Sequence, residues 1–199
     1  MSLNAEGYFD CLESYMNTNF YGVPQGFDEI TLKEKIFTQD GDTTHKIKLE
    51  YSGKLFAIKL DKPKHNGQCE PLFHFLDNTG KPWSKRCDFV LFNYYNRQIR
   101  VFLFEFKHQT ISGDGISGQL EASRNWCKAL VHMIKDYTDY AGTLHLSKYV
   151  LTAHPNPERY LDETGKYLNS NNSIRHYLYS DINGMHLKDL ENSRVERIK

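Results

Sequence analysis

The stretch Cys87-Asp88-Phe89-Val90-Leu91-Phe92-Asn93-Tyr94-Tyr95-Asn96-Arg97-Gln98-Ile99-Arg100-Val101-Phe102-Leu103-Phe104-Glu105-Phe106-Lys107 sets two runs of β-branched and aromatic residues around a polar, turn-compatible centre. Val90-Leu91-Phe92 and Val101-Phe102-Leu103-Phe104 have the composition of short strands, and Asn93 to Gln98 that of the connection. A turn centred on Asn96 and Arg97 places Val90 opposite Leu103 and Phe92 opposite Val101, and on the same count Asp88 opposite Glu105. Lys107 is two residues beyond Glu105 and shares its face. Both faces of the hairpin are apolar, so it belongs inside a sheet that is covered on both sides.

That position makes the charged end costly unless something compensates it. Cross-strand Cβ atoms lie roughly 5 Å apart, so the Asp88 and Glu105 carboxylates can converge on one cation. Two opposed carboxylates repel, and a divalent cation offsets the repulsion, with Lys107 adding positive charge. Oxygen ligands favour Mg2+ or Mn2+ over zinc. The alternative is a solvated ion-pair cluster at a strand end, which contributes little. Glu105-Phe106-Lys107 is the only acidic-x-Lys triplet of the chain and ends its most hydrophobic strand, which favours a site.

With 199 residues, 39% hydrophobic and 14% aromatic, the chain suits one domain with a substantial core, and disorder is not expected. Lys and Arg number 25, as do Asp and Glu, so no global basic footprint advertises nucleic-acid binding. A local one is still open: Lys81, Lys85 and Arg86 precede Asp88 and could meet phosphates beside a metal. No signal-like or membrane-spanning apolar run occurs, and Cys11, Cys69, Cys87 and Cys127 are scattered without a Cys-x-x-Cys pair. Both point to a cytoplasmic protein with reduced thiols and no membrane partner. A zinc set from His65, Cys69, His74 and Cys87 matches no standard spacing.

Outward from the hairpin, Ala5, Phe9, Leu12 and Met16 form a helical stripe over residues 4–17, with Glu13 at its edge. Residues 21–81 read as β-rich: Ile47, Leu49 and Tyr51 alternate inward, Ser52-Gly53 makes a turn, and Lys54 to Leu60 returns. A further strand is expected over residues 72–76. After Lys107, residues 108–118 with Gly113, Gly115 and Gly118 read as a loop lacking the Gly-Lys-Ser/Thr ending of a phosphate-binding loop. A helix follows from Ile116 or Ser117 to Tyr137, opened by Gln119 and carrying Arg124 and Lys128. Tyr149 to Ala153 is a short strand. A weak hairpin is expected around Ile174–Tyr179 and Met185–Leu187, and the charged tail from Asp189 should be helical or frayed.

This order, a helix, β-hairpins carrying Asp and then Glu-x-Lys, a helix opening near Gln, and another strand, resembles the PD-(D/E)XK nuclease superfamily, the restriction-endonuclease-like fold. The resemblance covers residues 85–153, which it casts as a catalytic core, with residues 21–81 as a β-rich insertion in one domain spanning 1–199. It implies an α/β (α+β) fold with a central mixed sheet flanked by helices, and Mg2+-dependent (or Mn2+-dependent) hydrolysis of DNA or, less often, RNA. Asp88 and Glu105 match the two metal-binding carboxylates, Lys107 the catalytic lysine and Gln119 a glutamine that some members place on the following helix. Glu13 matches an acid some members supply from the first helix. Cys87 stands where the superfamily name has proline. The expected metal set is Asp88, Glu105 and the Phe106 carbonyl. Arg124 and Lys128 join Lys81, Lys85 and Arg86 as candidate nucleic-acid contacts. Homodimerisation is left open. A non-catalytic module that keeps the fold to bind protein or nucleic acid is the competing expectation, and an enzyme using His108 or His154 a third.

Overall fold

In chain order the protein forms α1 (Ala5–Tyr15), α2 (Thr18–Tyr21), β1 (Glu29–Thr38), β2 (Gly41–Glu50), β3 (Lys54–Lys59), β4 (Phe89–Tyr95), β5 (Gln98–Lys107) and α3 (Gly113–Asp136). It continues with β6 (Leu144–Thr152), β7 (Tyr167–Leu168), β8 (Asn171–Leu178), α4 (Tyr179–Ile182), β9 (Met185–His186) and β10 (Glu196–Ile198). This computed structural model describes residues 3–38, 41–62, 69, 71, 73, 76–108, 111, 113–153 and 158–199.

The β4–β5 hairpin has the expected register, Val90 opposite Leu103 and Phe92 opposite Val101, but its strands run on until only Asn96 and Arg97 are left as the turn. Both turn residues have positive φ, 51° and 61°. Such turns match the twist of the strands they join, which explains why Tyr94 and Tyr95 remain paired instead of looping out. The hairpin lies inside a mixed seven-stranded sheet, ordered β3-β4-β5-β6-β8-β7 with β10 also on β6. The β3, β4 and β5 strands are antiparallel, whereas β5, β6 and β8 are parallel.

Both faces of this sheet are covered, as its two-sided apolarity requires. On one face, Val90, Phe92, Val101 and Leu103 pack under α1 and α3 through Phe9, Leu12, Leu120 and Val131. Tyr8 ties those helices together, donating its hydroxyl to the Val131 carbonyl at 2.9 Å and stacking on Tyr140. On the other face, Phe89, Leu91, Phe102, Phe104 and Phe106 pack under Ile30, Leu32, Ile47 and Leu49 of a second sheet, ordered β1-β2-β9. The fold is α+β, with a mixed sheet, a small second sheet and four α-helices among the described residues.

Several sequence expectations change here. The β2 and β3 strands do not form a hairpin: β2 pairs with β1, β3 pairs with β4, and Ser52-Gly53 carries the chain from one sheet to the other. The cause is composition. Leu55, Phe56, Ala57 and Ile58 are all buried and need cover on both faces, whereas β2 alternates between exposed and buried. The α3 helix starts at Gly113, earlier than the glycines suggested, because the first-turn cost of about 1 kcal/mol per glycine is offset by docking Ile116 and Leu120. The expected hairpin after Ile174 is instead β8, parallel to β6, followed by α4 and by β9, which joins β2 in the second sheet. The tail is neither helical nor frayed: β10 pairs with β6. Of the strand expected over 72–76, residues 72, 74 and 75 lie outside the described residues, and Phe73 and Leu76 are not in a strand.

Two backbone positions give opposite expected outcomes. Arg97→Gly relieves a left-handed residue in the turn type that favours Asn-Gly, so chemical denaturation should show unchanged or higher stability, by up to about 1 kcal/mol. Gly53 has φ +82° and a Cβ there would stand 2.1 Å from the Tyr94 carbonyl oxygen, so Gly53→Ala should lower the denaturation midpoint.

Candidate active site

Asp88 lies one step beyond the last β4–β5 pair, Phe89 with Phe104. Its N–H goes to the Phe104 carbonyl at 3.1 Å, so the direct opposition to Glu105 expected from the register is not formed. The Asp88 carboxylate accepts the Phe106 N–H at 2.5 Å instead. The slip is favourable, because it meets one buried carboxylate with a backbone donor and avoids setting it squarely against another. A strand residue directs its N–H and C=O toward the same neighbour, so the Phe106 carbonyl also faces the Asp88 side.

Glu105 is 1% exposed. Its Oε1 is 2.6 Å from Lys107 Nζ, while its Oε2 is buried with no hydrogen-bond partner. Lys107 Nζ also donates to Gln119 Oε1 at 3.2 Å, and Gln119 Nε2 donates to the Arg86 carbonyl at 3.2 Å. One helical turn on, Ser123 Oγ accepts the Cys87 N–H at 2.7 Å. The α3 helix thus grips the backbone leading into Asp88 at two points and orients the lysine through the first. Asp88, Glu105, Lys107 and Gln119 are brought together, with Gln119 in the second turn of α3 and not at its start.

Two further acids join them. Ligand-capable oxygens of Glu34, Asp61 and Asp88 all lie within 4.8 Å of one another. Lys59 stands against this group, its Nζ 2.7 Å from Glu34 Oε2 and 3.8 Å from Asp61 Oδ1. Sequence reasoning missed Glu34 and Asp61. Glu34 had a signal: Ile30, Leu32 and Ile36 alternate inward along β1, and Glu34 occupies the one acidic position in that stripe. Asp61 had none, since only the pairing of β3 with β4 carries it to Asp88.

Four carboxyl groups therefore crowd beside the Lys59 and Lys107 ammonium groups. Burial, reinforced by Glu105, Asp61 and Glu34, holds the Asp88 carboxyl well above the usual range, against the Phe106 N–H that lowers it. Burial also raises Glu105, against the opposing pull of Lys107, and pushes Asp61 up to about 6. Tyr179 roofs the Lys107 end. Its hydroxyl donates to the Lys107 carbonyl at 3.2 Å and its ring stacks on His45, which hydrogen bonds His108 at 2.9 Å. Burial and the Asp88 charge raise the Tyr179 hydroxyl.

The remaining candidates are placed elsewhere or engaged otherwise. The charges acting on Glu13 are those of Asp10 and Lys54, and Lys54 is at the end of β3 away from Asp88. Arg124 and Lys128 both pair with Glu196 and hold β10 in place. Lys81 lies 3.8 Å from Asp77, Lys85 packs over Gly118, and Arg86 donates to the Ser84 and Leu60 carbonyls. Of the zinc set, His65 and His74 lie outside the described residues, as does His154. The four cysteines are free thiols, with Cys87 and Cys127 buried. No described helix is long and apolar enough to cross a membrane.

Comparison with known proteins finds no match to a family model, to a curated protein or to a solved structure.

A buried carboxylate oxygen without a partner leaves room for a further donor or an ion, and an all-oxygen donor set is of the kind that hard divalent ions take. The protonation cost has a measurable sign. Asp61, Asp88 and Glu105 bind protons more tightly folded than unfolded, so the stability they contribute is present at acid pH and lost as pH rises through their folded values. Without divalent cations, the melting temperature should fall between about pH 5 and about pH 8. Glu105→Gln should flatten that fall, and an unchanged slope in the variant would remove Glu105 from the cluster's electrostatics.

Proposed function

We propose that the chain is a metal-dependent phosphodiesterase acting on nucleic acid, with DNA the favoured substrate. The observation that carries this is the buried Glu105 carboxylate, one oxygen held by Lys107 and the other unpartnered, beside a second buried carboxylate, Asp88. Its position in the fold supports the same reading. The order α1, β3-β4-β5 antiparallel, α3, then β6 parallel to β5 agrees with the restriction-endonuclease-like core that the sequence resembles.

Asp88, Glu105 and the Phe106 carbonyl would hold Mg2+ or Mn2+. Such an ion supplies Lewis-acid polarisation of a phosphoryl oxygen and a more acidic bound water. Lys107, fixed between Glu105 and Gln119, places an ammonium where it can orient an attacking water and stabilise charge developing on phosphate. Gln119 anchors Lys107 to the Arg86 backbone, so the lysine is positioned before substrate arrives. Tyr179 and the paired histidines pack at the Lys107 end, which stays partly exposed.

A second reading, a non-catalytic module that binds protein or nucleic acid, is favoured by the pairing of Arg124 and Lys128 with Glu196, which leaves fewer free cations for a polyanion. One set of measurements separates them. Mg2+- or Mn2+-dependent cleavage of single- or double-stranded DNA is expected, falling at least roughly 100-fold in Asp88→Asn and in Lys107→Ala while both variants keep their circular dichroism. Full activity in both folded variants would sink the catalytic assignment. Absence of Mn2+ binding and of cleavage in the unaltered chain would select the module.

A further inference from the structure

Beside the carboxyl cluster is a cavity of about 290 Å³, at the low end for a small-ligand site. It is lined by residues of β1 and β3, strands at the edges of the two sheets. One wall is Tyr21, the last residue of α2, with Val23 and Pro24 of the segment that follows it. That segment is strapped to β3 by the Gly22–Ile58 bridge and by the Val23 N–H, which donates to the Ala57 carbonyl at 2.9 Å. The opposite wall is β1 with Lys33, and Phe89 contributes from β4. These walls are fixed by sheet hydrogen bonds, so the cavity is formed before any ligand enters.

Its chemistry is one-sided. Every charged residue lining it is a lysine, Lys33, Lys59 or Lys62, in a chain with no net charge. Lys59 is engaged by Glu34 and Asp61 and joins the cavity to the acidic group. Lys62 sits over the Phe20 ring at 4.4 Å and also donates to the Phe20 carbonyl. Lys33 is exposed and makes no ion pair among the described residues. The remaining lining is mainly aromatic and aliphatic. A flat apolar body bearing a phosphate meets both requirements, whereas a bare phosphate would leave the apolar wall uncovered.

Proximity links the cavity to the proposed chemistry. The same Lys59 that lines it touches Glu34 and Asp61, which lie with Asp88 inside one 4.8 Å group, and Phe89 of its wall follows Asp88 in sequence. We infer that the cavity receives one unpaired nucleotide of the substrate strand next to the cleaved bond, its base against Tyr21 and Pro24 and its phosphate on Lys33 and Lys62. This rests on the phosphodiesterase reading and sharpens it. A base can enter a cavity only when it is out of the helical stack, so the preferred substrate is single-stranded, frayed or locally unpaired, not continuous duplex.

The test is equilibrium binding by the full chain in chelator, where cleavage cannot intervene, using a short labelled single strand, its continuous duplex, deoxyadenosine monophosphate and inorganic phosphate. The single strand should bind more tightly than the duplex, and the mononucleotide should displace it better than inorganic phosphate does. Lys33→Gln and Lys62→Gln should each reduce the slope of log affinity against log salt by about 1, and the double variant should lose about tenfold or more in affinity. Unchanged melting temperatures would confirm that the fold is kept. Equal affinity for duplex, full competition by inorganic phosphate, or an unaltered salt slope in the double variant would overturn the inference. Cleavage assays of Asp88→Asn separate the two levels. If that variant still cleaves while the lysine variants lose strand binding, the catalytic reading fails and the nucleotide cavity stands. If Asp88→Asn is inactive while the lysine variants bind normally, the cavity fails and the catalytic reading stands.

Discussion

Strands β4 and β5 bury side chains on both of their faces, and most of the architecture follows from covering them. Helices α1 and α3 cover one face, and the β1-β2-β9 sheet covers the other. A strand pair with one polar face would have needed only the helices, and Glu34 would then have had no reason to approach Asp88. Covering the second face brings a strand with an inward acid over the sheet, beside Asp61, two residues past the end of β3. The hydrophobic effect thus places charge, because the acids ride on strands whose other side chains are apolar.

The price of that placement is an acidic centre screened from water. Lys59 and Lys107 offset part of the charge, each within hydrogen-bond range of one carboxylate, Glu34 and Glu105 respectively. What they leave is concentrated at Asp88, where burial and three other carboxyls all favour the protonated form. A site built for stability alone would bury apolar residues of similar volume here, which is often neutral or better. Retaining the acids makes physical sense if a cation supplies the missing positive charge.

The sequence was most legible where local pattern and local pairing coincide. The β4–β5 register, the α1 stripe and the proximity of Glu105 and Lys107 to each other all follow from period-2 or period-3.6 spacing. It was least legible where the decision belongs to tertiary structure. Nothing local says that β2 and β3, joined by only three residues, part into different sheets, or that Met185 and His186 return to β2. Asp61 is invisible for the same reason, since it is a loop acid until β3 takes its place beside β4. Arg124 and Lys128 look like a free basic pair on a helix face until β10 brings Glu196 to them. The slip at Asp88 is a subtler case, in which the register holds through Phe89 and then yields to electrostatics.

The β9 strand has a consequence for how the molecule comes into being. Leu49 pairs with Met185, Lys48 accepts from the Gly184 N–H at 2.7 Å, and the Lys48 N–H donates to Asn183 Oδ1 at 2.9 Å. The layer carrying Glu34 is therefore tied down by residues that are synthesised long after it. Contacts so distant along the chain form late, after loop-closure entropy has been met by nearer ones. A nascent chain can lay down α1, the hairpin and α3 while the layer bearing Glu34 still lacks this tie, so that layer gains its β9 support only once residues 183–186 have been made.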